Sequence, residues 1–167
     1  SVAVSNSPKS TVIAGDETKL LEVLEKLEAE GLFCRQVKVD VASHSPQMDP
    51  LMDPLLENIN GIAPKENLIA FYSTVEGREM AGIELTKDYW TKNLRGMVRY
   101  ADVVEELLNL NHSIFIEMSP HPLLTNAANE CAEANNIQVA TIASLFRDKP
   151  ERLSFFSNVG KLFEHGF

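Results

Sequence analysis

Regular alternation between strand-like and helix-like segments most constrains the fold of this 167-residue chain. In the second half, β-prone runs of strand length are separated by longer segments whose apolar residues repeat at helical spacing. This arrangement is typical of βαβ units, in which helices connect the parallel strands and pack on their sheet. It predicts strands over 68–73, 113–118 and 137–142, and helices over 100–110, 122–135 and 149–164.

Residues 1–41 have a different pattern, so the predicted boundary lies near residues 41–43. Two β-prone runs within residues 2–14 are joined by a polar turn and predict a hairpin. Asp16 and Gly31 are suited to cap the two ends of a helix, and the alternating segment 33–41 predicts a strand. The predicted order is therefore β-β-α-β, an antiparallel unit with one helix across it.

Charge and composition exclude several classes of function. The chain has 15 basic and 24 acidic residues, and it lacks a basic stripe with interleaved aromatic residues, so we expect no nucleic-acid binding. No apolar run reaches membrane-spanning length and no signal peptide opens the chain, so we expect a cytoplasmic protein that does not bind membranes. The two cysteines are far apart and are expected to be reduced thiols.

His44 is the residue best suited to carry chemistry. It follows the predicted strand 33–41, and small residues on both sides leave space for a substrate or a nucleophile beside the imidazole. A histidine that acts as a general base also needs a carboxylate or a carbonyl group that fixes its tautomer. From the residues alone, a structural histidine and a catalytic base both remain open. The proline-interrupted segment 46–59 that follows predicts a bent helix.

Other candidate groups are weaker. His121 lies between two prolines in a rigid connector, where a structural role is favoured over catalysis. The chain contains no G-x-S-x-G elbow, no glycine-rich phosphate loop and no metal-ligand spacing, so we expect no metal site. By itself, the chain supplies a base without a nucleophile.

Four segments, in this order along the chain, resemble acyltransferase domains of modular type I polyketide synthases. More distantly, they are similar to malonyl-CoA:acyl carrier protein transacylases. The segments are Asn6-Ser7-Pro8 with Val12-Ile13-Ala14-Gly15, Val41-Ala42-Ser43-His44-Ser45-Pro46, Tyr89-Trp90 with Asn93-Leu94-Arg95 and Val98-Arg99-Tyr100, and Phe115-Ile116-Glu117-Met118-Ser119-Pro120-His121-Pro122-Leu123-Leu124.

The resemblance implies an α/β fold and an incomplete domain. Residues 1–41 would form part of a ferredoxin-like subdomain. Residues 42–167 would form the C-terminal part of an α/β-hydrolase-like subdomain with a parallel sheet. The serine elbow, the oxyanion loop and the arginine that pairs with a malonyl-type carboxylate would all lie upstream of this chain.

The resemblance also implies roles for individual residues. His44 would be the histidine of a Ser–His dyad, and the main-chain carbonyl of Asn93 would orient its ring through Nδ1. His121 would lie in a structural loop near the site. The acyl group would pass from acyl-CoA to the phosphopantetheine thiol of an acyl carrier protein, with no cofactor bound by this chain. The implied partners are the carrier protein and the rest of the synthase polypeptide, including its serine-bearing part.

Val41, Ala42 and Ser43 complete, with His44, the tetrapeptide that this resemblance links to the choice of extender unit. Related synthases that use malonyl units tend towards His-Ala-Phe-His, and methylmalonyl ones towards Tyr-Ala-Ser-His. Ser43 leaves space beside the acyl C2 and disfavours plain malonyl, while Val41 suggests space for an ethyl-like or unusual branch.

The role of three basic residues stays open at the level of the sequence. Lys92, Arg95 and Arg99 could form a local basic patch for an acidic carrier protein, or the arginines could be internal ion-pair residues. Met97 stands where many relatives have proline, which leaves the loop after Asn93 less constrained.

The alternative function is a catalytically inactive structural or docking module of the same fold.

Overall fold

The computed structural model of the chain describes residues 1–37 and 39–166. It consists of two compact units. The first unit contains Ser1–Ser5 and Thr11–Arg99, and the second contains Asn6–Ser10 and the residues from Tyr100 onward. This division concerns packing within the chain, and the subdomain boundary near residue 41 stays a prediction.

The first unit contains two small sheets, to which β1 contributes residues 2–5 and β2 contributes residues 11–13. Strands β1 and β2 form the predicted hairpin, and β5 adds to β1 in parallel, with Val4 opposite Val98. Strands β3 and β4 form a separate antiparallel hairpin in which Phe71 lies opposite Met80. The elements are β1 (Val2–Ser7), β2 (Ser10–Ile13), α1 (Glu17–Ala29), a 3₁₀ helix (Pro46–Leu51), α2 (Met52–Asn58), β3 (Phe71–Ser73), β4 (Arg78–Met80), a 3₁₀ helix (Gly82–Glu84), α3 (Lys87–Arg95) and β5 (Val98–Arg99).

Helix α1 begins and ends where the sequence predicts. The carboxylate of Asp16 accepts a hydrogen bond from the backbone N–H of Lys19, as an N-cap residue does. Gly31 follows the helix at φ +79°, a left-handed conformation that suits glycine. No residue of α1 is fully buried, so its leucine stripe lies at a partly exposed face.

The predicted strand over 33–41 is wrong. Among residues 33–37 and 39–41 the structure has no strand, and Phe33, Val37 and Val39 are each more than half exposed; Lys38 lies outside the described residues. An alternating pattern gives a segment that is able to pair, whereas a strand exists only where another backbone supplies hydrogen bonds. The order in this region is therefore β-β-α, and the predicted ferredoxin-like arrangement is not confirmed.

Two further segments of the first unit differ in detail from the prediction. The predicted strand over 68–73 is reduced to β3, and the side chains of Leu68 and Ile69 are almost fully exposed. The predicted bent helix over 46–59 is a 3₁₀ helix followed by α2. Pro50 lies inside the 3₁₀ helix, while Pro54 lies in the first turn of α2, where a missing N–H breaks no helical hydrogen bond.

The second unit has the predicted alternation of helices and strands. Strands β6 and β7 pair in parallel, with Ile114 opposite Ala140. Every element is found within three residues of its predicted ends, so the mixed α/β class is confirmed here. The elements are α4 (Tyr100–Asn109), β6 (Ile114–Glu117), α5 (Thr125–Ala134), β7 (Ala140–Ala143) and α6 (Glu151–Glu164).

Each unit has its own hydrophobic cluster. In the second unit, Val104, Leu108 and Cys131 lie at the centre, and Phe115 packs against them. Burial, followed by the neighbouring carboxylates of Glu105 and Glu130, raises the pKa of the Cys131 thiol to about 11. This cysteine therefore stays a protonated core residue at neutral pH.

The cluster of the first unit is smaller and contains Val75, Met80 and Tyr89. The phenol of Tyr89 is hydrogen-bonded to the buried hydroxyl of Ser73 at 2.9 Å. No helix in the described part of the chain is both long and apolar enough to cross a membrane.

Candidate active site

His44 lies in a tight turn whose backbone is fixed on both sides. Its own φ of +60° is left-handed, a conformation that few residues other than glycine adopt. The neighbouring Ser45 is fully buried, and its hydroxyl donates to the carbonyl of Ala42 at 2.6 Å. The same oxygen accepts from the N–H of Gln47 and caps the 3₁₀ helix that begins at Pro46. The turn is therefore held by contacts of its own residues.

The carboxyl end of α3 holds His44 from a distant part of the sequence. The backbone N–H of His44 donates to the carbonyl of Leu94 at 3.1 Å, and its ring Nδ1 lies 2.7 Å from the carbonyl oxygen of Gly96. Carbonyl groups at a helix end have no partner inside the helix, which leaves them available. Because a carbonyl oxygen only accepts, Nδ1 carries the proton and Nε2 presents its lone pair.

The carbonyl that contacts Nδ1 belongs to Gly96, whereas the predicted one was that of Asn93. Asn93 lies within α3, where carbonyl groups point along the helix axis. Gly96 follows the last helical residue with an extended ψ of 153°, so its carbonyl turns away from the helix direction and reaches His44. The signal in the sequence was the glycine itself, since glycine often ends a helix.

The predicted selectivity residues directly precede His44. Val41 is more than half exposed, while Ala42 and Ser43 are partly buried. Since Ser45 bonds to the carbonyl of Ala42, the same hydrogen bond that shapes the turn also fixes the backbone of this tripeptide. The three residues and His44 therefore form one continuous structural feature of the first unit.

The basic residues near Gly96 are engaged in contacts within the first unit. Arg95 Nε donates to Asp49 Oδ1 at 2.5 Å, and Lys92 Nζ donates to Glu76 Oε1 at 2.6 Å. Arg99 donates from Nη1 to the carbonyl of Glu76 at 2.9 Å. Of the two interpretations of this basic cluster, these contacts favour the internal one.

An open pocket of about 320 Å³ lies between α2 and α3. Met52 and Leu56 line it from α2, Thr91 and Arg95 line it from α3, and Gly96 lines it as well. His44 is not one of its lining residues, although Gly96, whose carbonyl contacts the His44 ring, is one of them.

The second unit contains His121 in a loop that is organised by Glu117. The carboxylate of Glu117 accepts hydrogen bonds from the backbone N–H groups of Leu123, Leu124 and Thr125 and from the hydroxyl of Ser119. Burial by itself raises the pKa of Glu117, but these donors together bring it below the ordinary value of 4.5. The negative charge of Glu117 also lies at the amino end of α5, where the helix dipole favours an anion.

His121 has contacts typical of a structural residue. Its Nδ1 accepts a long hydrogen bond of 3.4 Å from the N–H of Arg147, and its carbonyl accepts from the Ser119 hydroxyl. The predicted position of this loop near the catalytic site stays a prediction. Glu117 has no role among those predicted from the sequence. The available signal was an acidic residue at a strand end, shortly before a helix whose first N–H groups need acceptors.

Among residues 1–37 and 39–166, no group of three or more His, Cys, Asp or Glu side chains is arranged to bind a metal ion. At the described site, a backbone carbonyl holds the Nδ1 proton of the His44 imidazole. Such an arrangement suits proton transfer at Nε2.

A family model described as an acyl transferase domain matches residues 1–166. A spectinabilin polyketide synthase system protein, NorA of Streptomyces orinoci, is 41% identical over 162 residues, which cover 96% of this chain and 8% of the relative. Erythronolide synthase EryA2 of Saccharopolyspora erythraea is 41% identical over 161 residues, covering 95% of this chain and 4% of the relative. The chain thus spans less than a tenth of either relative.

Solved structures show the same similarity. The acyltransferase domain from module 8 of the salinomycin polyketide synthase superposes with a TM-score of 0.97 at 36% identity, covering 99% of this chain and 39% of that one. A loading acyltransferase from the avermectin modular polyketide synthase gives a TM-score of 0.91 at 31% identity, covering 98% of this chain and 50% of that one.

Proposed function

Since this chain belongs to the acyl transferase domain family, we propose that it supplies the histidine of an acyl-CoA:acyl carrier protein transferase in a polyketide synthase. The observation that carries the proposal is the 2.7 Å contact between His44 Nδ1 and the Gly96 carbonyl. It orients the ring and leaves Nε2 free of its proton, as a general base for a serine requires. The serine comes from a segment outside these 167 residues.

In the first half-reaction, the serine hydroxyl attacks the thioester carbonyl of acyl-CoA and its proton passes to His44 Nε2. The Gly96 carbonyl faces the positive charge that develops on the ring. The carbon–sulfur bond then breaks, and Nε2 returns the proton to the departing CoA thiolate. The products are an acyl-serine and free CoA.

The second half-reaction repeats these steps with a different thiol. The phosphopantetheine thiol of the carrier protein gives its proton to Nε2 and attacks the acyl-serine ester. When the carbon–oxygen bond breaks, Nε2 protonates the serine oxygen and the dyad is restored. The chain needs no cofactor for these steps. The partners are acyl-CoA, the carrier protein and the serine-bearing part of the synthase, in the cytoplasm.

The residues before His44 bear on the substrate class. Ser43 is smaller than phenylalanine, and Val41 is smaller than the aromatic residues in the related tetrapeptides, so an alkyl branch at the acyl C2 has more space. One methylene group changes discrimination by about 1–3 kcal/mol, which sets the scale of the expected preference. We therefore infer an alkylmalonyl-type donor in preference to malonyl-CoA.

The test uses the intact polypeptide that contains this chain, with radiolabelled acyl-CoA donors and a phosphopantetheinylated carrier protein. His44→Ala is expected to lower the rate of acyl-enzyme formation roughly 10²–10⁴-fold. His112→Ala is the matched control, since His112 is exposed beyond the end of α4. An unchanged rate in the His44 variant would contradict the proposal. A folded wild-type protein that forms no acyl-enzyme would instead support the structural or docking module.

Donor preference is measured in the same system by hydrolysis of malonyl-, methylmalonyl- and ethylmalonyl-CoA. Branched donors are expected to react faster, and Ser43→Phe is expected to shift the preference towards malonyl-CoA by roughly tenfold. A clear malonyl preference in the wild type would refute the inference about the substrate while leaving the role of His44 in place.

A further inference from the structure

Three polar contacts join two segments of the first unit, residues 42–51 and 94–96. Two run from His44 to the carbonyl groups that flank Arg95 in the chain, at 3.1 and 2.7 Å. The third joins the Arg95 side chain itself to Asp49, with Nε 2.5 Å from Oδ1. An ion pair and the contacts of the candidate base thus connect the same two short segments.

We propose that Arg95 and Asp49 are a positioning pair that keeps the His44 imidazole on the Gly96 carbonyl. The importance of this position for catalysis rests on the proposed function. The geometric claim does not, because it concerns only the tautomer and the order of the ring. Neither side chain takes part in proton transfer.

The place of Arg95 in the chain explains how the pair acts on the ring. Arg95 is the last residue of α3, and helix ends fray readily. Any movement of its backbone moves the carbonyls of Leu94 and Gly96, which are its immediate neighbours. By bonding to Asp49, Arg95 ties this helix end to the 3₁₀ helix that starts two residues after His44.

The strained backbone of His44 indicates why such a connection is needed. A left-handed residue other than glycine persists only where surrounding contacts determine it. The Ser45 hydroxyl holds the turn internally, but it makes no bond to α3. Of the three polar contacts described between the two segments, only the Arg95–Asp49 bond does not involve His44, so it can help to hold the end of α3 in place while the ring exchanges protons.

The pair is better suited to positioning than to general stability. The side chains of Arg95 and Asp49 are 34% and 61% exposed, and ion pairs this accessible add little to the stability of a fold. Replacing either residue is therefore expected to leave the unit folded. In contrast, a small misplacement of a catalytic group strongly affects a rate.

The experiment compares the wild-type chain with Arg95→Met, Asp49→Ala and the double variant by NMR of the ¹⁵N-labelled imidazole. In the wild type, the His44 Nδ1–H proton should be visible and slow to exchange with water. Each single variant should lose this protection. The double variant should show the same loss, because all three variants remove the same Arg95–Asp49 bond. Arg95→Lys keeps the positive charge, so the His44 Nδ1–H proton should retain part of its protection in this variant.

Arg78→Met is the matched control, because Arg78 forms a comparably exposed ion pair with Glu84 in the same unit, at 2.8 Å. It should leave the His44 proton protected. The inference is overturned if the proton stays protected without Arg95 or Asp49, or if Arg78→Met exposes it equally. Asp49→Ala keeps the test decisive if Arg95→Met does not fold, since Asp49 lies at an exposed position.

A kinetic measurement on the intact polypeptide separates this inference from the proposed function. Arg95→Met and Asp49→Ala should lower kcat roughly tenfold, with the KM for acyl-CoA little changed, because the orientation of the imidazole is disturbed and substrate binding is not. If the variants transfer the acyl group at the same rate as the wild type, the pair has no role in catalysis. If the wild type transfers no acyl group while the NMR results hold, the proposed function fails and the positioning of the ring stands.

Discussion

The turn at His44 and the loop at His121 are both held by hydrogen bonds, but different parts of each are fixed. At His44, a backbone carbonyl from a distant helix end contacts the imidazole ring itself. In the other loop, the Glu117 carboxylate binds the backbone of residues 123–125, while the ring of His121 makes one long contact. A ring held at one nitrogen suits proton transfer at the other, whereas a held backbone only maintains the shape of a loop.

Removing the carboxylate of Glu117 should have the largest effect on stability. Glu117→Ala leaves several backbone donors without an acceptor, so the free energy of unfolding should fall by about 2 kcal/mol. Chemical denaturation measures the change. Glu133→Ala is the control, since its ion pair with Lys9 spans 3.6 Å and is largely exposed. A smaller loss for Glu117→Ala than for the control would contradict the role of Glu117 in the loop.

Lowering the pH should remove part of the stabilisation that the Glu117 carboxylate provides. Because hydrogen bonding lowers the pKa of Glu117 in the folded chain, its ionised form stabilises the fold at pH values above its ordinary pKa of 4.5. This stabilisation should decline as the pH falls through the lower, folded-state value. The difference in unfolding free energy between the wild type and Glu117→Gln, measured at several pH values, should therefore shrink below about pH 4.5. A difference that grows in acid would refute this.

In the turn at His44, Ser45→Ala should destabilise the chain by about 1 kcal/mol. The fully buried Ser45 hydroxyl donates to the Ala42 carbonyl and accepts from the Gln47 N–H, and both bonds are lost. Thermal unfolding gives the stability. The imidazole resonances of His44 should change as well, since the turn loses its internal bonds. Ser10→Ala, in the partly exposed β2, is a control that should leave the His44 resonances unaltered. The comparison between the two loops would weaken if the imidazole of His44 did not respond to Ser45→Ala.

Gly96→Ala should have the smallest effect on stability and a distinct effect on the ring. An added Cβ would lie 3.0 Å from the Lys92 carbonyl, so that contact must shift slightly, while the stiffer unfolded chain offsets part of the strain. The net change should stay within about 1 kcal/mol. The Nδ1–H signal of His44 should nevertheless move. A matching change at Gly61, where a Cβ meets nothing within 4 Å, should leave the signal unchanged.

Local patterns explain why the second unit could be predicted well. Helix α4 has Val103, Val104 and Leu108 on a buried face, and strands β6 and β7 are apolar runs between helical segments. Periodicity and capping depend on neighbours in the chain, so the residues themselves carry the signal. The same holds for Asp16 and Gly31 at the ends of α1.

The segment 33–41 shows where local patterns are insufficient. Its alternation is as regular as that of a strand, yet the described residues have no strand partner and their valines are exposed. Strand formation needs a second backbone at hydrogen-bonding distance, and nothing within a nine-residue window specifies it.

For the candidate site, the residues alone predicted His44 as a base, with small residues beside it, and carried the family resemblance of the segments around it. The carbonyl at Nδ1, which belongs to Gly96 and not to Asn93, and the pairing of Arg95 with Asp49 could be seen only in the folded chain. The reason is physical. His44 and Gly96 are 52 positions apart, and the direction of a carbonyl at a helix end depends on where the helix stops and on what packs against it.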